Sequence, residues 1–106
     1  MPNGDDKNWV RLCAAVNGFR SRYNAWPTKI RLLPGCLDDL QGHLFSSEVF
    51  AKVEEKLTFI PDAVVGMAAE DESGRRYDYG HEGFCEQPPD IHAQLWLGVE
   101  PDLLED

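Results

Sequence analysis

The sequence predicts one small α/β (α+β) domain, with helices packed on a three-stranded mixed sheet in the order α-β-α-β-β-α. Three observations predict this class. A long stretch near the N-terminus has helical periodicity, shorter segments alternate polar with apolar residues as strands do, and turns rich in Gly and Pro separate them. The chain has 106 residues, 42% of them hydrophobic, which suffices for one core but not for two. We therefore take 1–106 as a single domain, with residues 1–6 and 100–106 as flexible ends.

The first predicted element is a helix from residue 7 to about residue 25. At about 100° per residue its apolar side chains share one arc, and they are Trp9, Leu12, Cys13, Val16, Phe19 and Tyr23. The pair Asn17-Gly18 in the middle should weaken the helix by roughly 1 kcal/mol relative to alanine. Trp26-Pro27 should end it, because the residue before a proline disfavours the helical conformation.

The second predicted element is a short strand over residues 28–33. Charged and aliphatic residues alternate there, so every second side chain points to the same face of a sheet. We expect Ile30 and Leu32 to face the core, with Lys29 and Arg31 directed outward.

A turn and a helical region should follow this strand. Pro34-Gly35 is typical of a turn. Residues 37–44 and 48–57 have apolar residues at helical spacing and form one bent helix or two short ones. Ser46 or Ser47 is placed to cap the second stretch.

The second half of the chain predicts a hairpin. Residues 63–69 and 75–79 are typical of strands, and 71–74 is typical of a hairpin turn. We expect the strand at 28–33 and the strand at 63–69 to be parallel neighbours connected through the helical region. The strand at 75–79 would then return antiparallel.

The hairpin should be followed by a loop and a short last helix. Residues 81–89 contain one glycine and two prolines and predict a loop. Asp90 would cap a helix over residues 91–97, and Gly98 would end it. The rest of the chain is acidic.

This order resembles the thioredoxin-like fold after its first strand, over residues 7 to 97. Ile60-Pro61 would stand before the hairpin, where that family has a proline, and Gly80 would follow the hairpin. The sequence contains no Cys-x-x-Cys, however, so the resemblance implies no redox function.

Charge is distributed unevenly along the chain. The net formal charge is −9, from 10 basic and 19 acidic residues. Residues 1–60 contain 8 basic and 7 acidic residues, net +1, whereas residues 61–106 contain 2 basic and 12 acidic residues, net −10. Three arrangements follow: a basic and an acidic face on one domain, two like molecules that meet basic to acidic, or charges that folding disperses. A net charge of this sign disfavours non-specific binding to nucleic acid.

Four residues are candidates for chemistry. Two sulfurs and two imidazoles are the ligand types that zinc prefers, and they belong to Cys36, His43, His81 and Cys85. Their spacings match no standard zinc motif. His81 and Cys85 are also weak candidates for catalysis, because an imidazolium lowers the pKa of a nearby thiol. The alternative is an ordinary surface loop, and we expect neither an enzyme nor a cofactor.

Two surfaces are candidates for binding. A basic face could contact nucleic-acid phosphates, with Tyr77 and Tyr79 stacking on bases; its residues are Lys7, Arg11, Arg22, Lys29 and Arg31. Large aromatic residues near loops and helix ends could anchor a protein interface, and these are Trp26, Phe84 and Trp96. The acidic C-terminal segment with Leu103 and Leu104 could dock into a groove rimmed by basic residues.

The protein interface is the favoured interpretation, because no motif supports the other classes. The sequence therefore predicts a small acidic regulatory, inhibitory or adaptor protein that binds another protein, or itself, by charge-complementary docking. The acidic start is not a secretory signal, and no apolar run approaches the ~18 residues of a membrane span. We expect a cytoplasmic location and no membrane partner.

Overall fold

The computed structural model describes residues 3–83, 85 and 91–98, and for residues 3–7, 43 and 44 the backbone only. The chain forms one mixed sheet with helices packed on it, which confirms the α+β class, and the sheet has four strands rather than three. None of the described helices is long and apolar enough to cross a membrane. The elements are α1 Asn3–Tyr23, β1 Lys29–Leu32, α2 Pro34–Asp39, a π-helical turn Leu40–Leu44, α3 Ser47–Glu54, β2 Thr58–Pro61, β3 Met67–Glu70, β4 Arg76–Asp78, α4 Tyr79–Glu82 and α5 Ala93–Leu97.

Helix α1 confirms the prediction from periodicity, and it begins at Asn3, so residues 3–6 of the expected flexible end lie within it. The Asn17-Gly18 pair has a packing role. A β-carbon at Gly18 would lie closer than 3 Å to the ring of Tyr77 on β4. Glycine at this position lets α1 approach the sheet closely. This packing explains why a residue of low helix propensity occurs inside the helix.

Strand β1 lies inside the sheet, whose order is β2-β1-β3-β4. Ile30 and Leu32 are fully buried, whereas Lys29 and Arg31 are partly exposed, as the alternation predicted. Strand β2 pairs with β1 in parallel, and β3 pairs with β1 antiparallel. Strands β3 and β4 form the expected antiparallel hairpin.

The predicted parallel partner of β1 was wrong. Residues 67–70 run antiparallel to β1, and the parallel neighbour is Thr58–Pro61, which the sequence pattern did not mark as a strand. The backbone amide of Thr58 donates to the carbonyl of Thr28, just before β1, and the amide of Asp62 donates to the carbonyl of Leu32 on β1. Alternate residues of a strand direct their backbone groups toward the neighbouring strand. The nitrogen of Pro61 therefore points away from β1, to the outer edge of the sheet, and the absence of its N–H costs no hydrogen bond to β1.

Two predicted helix ends are confirmed, and two other local predictions are wrong. Ser46 caps α3, since its hydroxyl accepts a hydrogen bond from the Val49 amide at 3.2 Å, and Gly98 ends α5 with a φ of 75°, as predicted. The Pro34-Gly35 turn was wrong: Pro34 begins α2, where its fixed φ suits the first helical position. His81 lies in the short helix α4 rather than in a loop.

Helix α5 begins at Ala93, two residues later than predicted, and Asp90 lies outside the described residues. The Ala93 amide donates instead to the side-chain oxygen of Asn17 on α1, at 2.7 Å. A residue distant in sequence therefore satisfies one of the free amides at the start of this helix.

The core is formed mainly by the inner face of α1, the two inner strands and α3. Helix α1 packs against β3 and β4 and also contacts α5. The largest fully buried side chains are Phe19, Leu12, Ile30, Leu32, Leu40, Leu57, Met67 and Leu97.

Candidate functional site

Two tryptophans that are 70 positions apart in sequence stack on each other. Trp26 lies between α1 and β1, and Trp96 lies on α5. Their ring centroids are 4.5 Å apart and their planes differ by 5°. Both rings are half-buried, so the stack covers part of the core and also reaches the surface.

Two positive side chains lie on the rings of this stack, and a third contacts the backbone at the end of α5. The guanidinium carbon of Arg20 lies 5.0 Å from the Trp26 ring centroid, and the ammonium of Lys56 lies 5.3 Å from that of Trp96. These are cation–π distances. Lys56 also donates to the Trp96 carbonyl, and Lys52 donates to the Gly98 carbonyl at 3.3 Å. We call Arg20, Trp26, Lys52, Lys56 and Trp96 the tryptophan patch.

Leu95 precedes Trp96 on α5, and its side chain is 74% exposed. It is one of the most exposed large apolar side chains in the described part of the chain. A single exposed leucine is ordinary. Because it is next in sequence to the half-buried Trp96, however, it adds exposed apolar surface to α5.

Four arginines elsewhere on the molecule bind carboxylates. Arg22 forms an ion pair with Glu82, and Arg31 binds both Glu70 and Asp62. Arg75 and Arg76 bind Asp71 and Glu70, at 2.7 and 2.6 Å. None of the ion pairs between described residues includes a residue of the tryptophan patch. In the folded chain, some arginines of the basic first half therefore bind carboxylates of the acidic second half. The cations of the patch contact indole rings and backbone carbonyls instead.

These pairs hold their groups in the charged form. The hydrogen bond to Glu82 raises the pKa of Arg22 above its ordinary value, and the same bond lowers the pKa of Glu82. The amides of Val65 and Val64 lower the pKa of Asp62. Carboxylates bound in this way are less available to an external basic partner.

The predicted basic face is only partly open. Arg22 and Arg31 are in the ion pairs above, and Lys29 is half-buried on β1. Arg11 donates to the side chain of Asn8 at 3.2 Å, and the side chain of Lys7 lies outside the described residues.

The two tyrosines proposed to stack on bases occupy different elements. Tyr77 is 4% exposed, and its hydroxyl donates to the Gly83 carbonyl at 2.6 Å. The guanidinium of Arg22 lies 4.8 Å from its ring centroid. Tyr79 is half-buried in α4. The Tyr77 ring is therefore enclosed by protein and offers no open face for stacking.

The four metal candidates do not form one described cluster. Cys36 lines a cavity of about 230 Å³ with Tyr79 and Gly80, and Cys85 lines a different cavity. Among the described side chains, no three His, Cys, Asp or Glu groups are placed to hold one metal ion. The side chain of His43 lies outside that description.

Cys85 lies in a cavity of about 340 Å³ between α1 and the segment around α5. The imidazole there belongs to His92, whereas His81 is on α4 and is not among the described lining residues. Cys13 also lines this cavity, and burial raises its pKa to about 12. That thiol stays protonated at neutral pH and is a poor nucleophile. The cavity lining also includes Trp9, Val10, Ala14, Asn17 and Gln94.

Of the five predicted interface residues, the structure brings Trp26 and Trp96 together, and Phe84, Leu103 and Leu104 lie outside the described residues. The sequence prediction missed Arg20, Lys52 and Lys56. One signal for the two lysines was present: they are four positions apart, the spacing at which helical side chains point the same way.

No protein-family model, curated protein or solved structure matches this chain. The thioredoxin-like order of elements therefore carries no functional conclusion, and a proposal about function depends on the geometry of this molecule.

Proposed function

We propose that this chain is a small protein-binding module that docks its partner through the tryptophan patch. The observation that carries the proposal is the stacked pair Trp26 and Trp96 with Arg20 and Lys56 on their rings. Tryptophan and arginine are the residue types most enriched at energetically dominant positions of protein interfaces.

The charges indicate the chemistry of the partner. The patch is positive on a chain whose net charge is −9, so an acidic segment is attracted to the patch and repelled by much of the remaining surface. The exposed Leu95 favours an aliphatic side chain beside the partner's carboxylates. Opposite potentials of this kind orient a complex and accelerate association.

This docking surface differs from the one expected from the sequence, in which the carboxylate-rich half met a basic partner. Glu70, Asp71 and Glu82 bind arginines within the chain. We therefore assign docking to the cations that bind no carboxylate among the described residues. We also propose a cytoplasmic location, which agrees with the free thiols of Cys13, Cys36 and Cys85.

The competing explanation is purely structural. In that case the tryptophans complete the core, and Lys52 and Lys56 only satisfy carbonyls at the end of α5. Replacing cations while keeping both indole rings separates the two explanations, because a charge at the surface contributes little to folding.

The experiment compares three forms of the full chain: wild type, the patch variant Arg20→Gln with Lys52→Gln, and the matched control Lys29→Gln. Each is used for affinity capture from the native source with quantitative mass spectrometry. The partner should be recovered with wild type and control and lost with the patch variant.

Calorimetry with the purified pair should then show binding that weakens as salt rises, because salt screens exposed charges. Equal recovery of the same proteins by all three forms, or binding of the purified partner that the patch variant does not weaken, would overturn the proposal.

A further inference from the structure

The chain itself contains a segment with the composition that the tryptophan patch should bind. Residues 99–106 contain four carboxylates, two adjacent leucines and no basic residue, and their sequence is Val-Glu-Pro-Asp-Leu-Leu-Glu-Asp. The patch offers three cations and two half-buried indoles. Charge complementarity therefore matches this segment to this surface, and the match depends on composition alone.

We propose, on the basis of the function proposed above, that residues 99–106 of a second copy occupy the tryptophan patch and that the chain forms a reciprocal dimer. Each molecule contributes one segment and one patch. This is the geometry of a two-fold symmetric interface, in which the same pair of surfaces meets twice.

The position of Gly98 makes the exchange sterically reasonable. Its carbonyl accepts a hydrogen bond from Lys52, so the segment follows directly from the patch of its own molecule. Eight extended residues span at most about 27 Å, which is comparable to the 34 × 31 × 24 Å extents of the molecule. The segment is long enough to reach the patch of a facing copy.

The sequence favours a second copy over the molecule's own patch. Glu100 precedes Pro101, and a residue before proline prefers an extended backbone. An extended segment favours a facing copy over a tight return to the patch beside which it starts.

The test measures mass by light scattering and sedimentation over a concentration series, with the full chain throughout. The segment variant carries Glu100→Gln, Asp102→Asn, Glu105→Gln and Asp106→Asn, and the patch variant carries Arg20→Gln and Lys52→Gln. Wild type and the Lys29→Gln control should dimerise, whereas each variant alone should show a dissociation constant at least about tenfold higher.

The decisive measurement is a mixture of the two variants. The patch variant still has an intact segment, and the segment variant still has an intact patch, so one of the two contacts is restored. The mixture should therefore associate more strongly than either variant alone. A monomeric wild type, a segment variant that dimerises like wild type, or a mixture no stronger than its components would each overturn the proposal.

A synthetic peptide of residues 99–106 separates this inference from the proposed function. It should bind wild type, detected by tryptophan fluorescence, and should bind the patch variant at least about tenfold more weakly. If a purified partner needs the patch while the chain stays monomeric and the peptide does not bind, only the dimer is wrong. If neither partner nor peptide depends on the patch, both proposals fail.

Discussion

The hairpin side of the sheet and the tryptophan patch use positive charge in different ways. On the hairpin, Arg75 and Arg76 bind Asp71 and Glu70. On the patch, Arg20 and Lys56 lie on indole rings. A cation bound to a carboxylate loses most of its external field, whereas a cation on an aromatic face keeps its positive charge available.

The edge of the hairpin is also closed by side chains. The carbonyl of Arg76 accepts from the Tyr23 hydroxyl at 3.0 Å, and the amide of Asp78 donates to Glu82 at 3.2 Å. These bonds occupy backbone groups at the edge of β4 that another strand could otherwise pair with. We therefore expect the hairpin contacts to contribute mainly to stability, and this contrast supports the proposal that the patch binds a partner.

The largest effect on the hairpin side should come from Gly18→Ala. The new β-carbon would overlap the Tyr77 ring, and overpacking of this kind destabilises by about 1–3 kcal/mol. Denaturant unfolding measures the loss. The matched control is Gly35→Ala, because a β-carbon there meets no atom within 4 Å. Equal stability of the two variants would show that the close approach of α1 to β4 is not required.

Asp71→Asn should weaken the hairpin turn next. The side chain of Asp71 accepts hydrogen bonds from Ser73 and Arg75, and these lower its pKa to about 2. Because the pKa is lower in the folded state than in the unfolded state, the ionised group stabilises the fold above about pH 4. That stabilisation is lost as the pH falls through 2.

The pH dependence of melting checks this assignment. The wild-type Tm should fall as the pH decreases from 4 to 2, and Asp71→Asn should have a lower Tm at neutral pH and a shallower decrease in that window. Parallel curves for the two proteins would contradict the role of the Asp71 carboxylate.

Tyr77→Phe should have a smaller effect. It keeps the ring against Gly18 but removes the hydroxyl that donates to the Gly83 carbonyl, a bond with a net contribution of about 0.5–1.5 kcal/mol. Chemical denaturation measures the change. A loss as large as that of Gly18→Ala would mean that the hydroxyl, and not the ring packing, dominates this contact.

The smallest effect on folding should come from the patch variant, Arg20→Gln with Lys52→Gln. Lys52 is exposed and Arg20 is half-buried on the Trp26 ring, and a surface charge or an exposed cation–π contact contributes about 1 kcal/mol or less to stability. We expect nearly unchanged unfolding together with loss of partner binding. A large loss of stability would show that the patch, like the hairpin, mainly stabilises the fold. It would contradict the contrast between the two regions.

Local features of the fold, including the hairpin, could be predicted from the sequence, whereas the pairing of segments distant in sequence could not. The arc of apolar residues in α1, the buried Ile30 and Leu32, the Ser46 cap and the Gly98 stop all follow from short-range rules. Strand β2 was missed because Thr58–Pro61 is short, does not alternate and ends in proline. Its identity as a strand depends on the backbone of β1 beside it.

The same division applies to the candidate site. Trp26 and Trp96 could be selected from the sequence as large aromatics near segment ends. Their stacking could not be predicted, because it depends on how α5 packs beside α1. Arg20, Lys52 and Lys56 become candidates only once that packing is known.

By itself, the sequence determined the class of the fold, the amphipathic helix that covers the sheet, and a strong excess of acidic residues in the second half. Only the tertiary structure decided which charges neutralise one another and which are left on aromatic rings. The physical reason is range: helix periodicity and capping act over a few residues, whereas the ion pairs of Arg22 and Arg31 and the stacking of Trp26 on Trp96 join groups that are tens of positions apart.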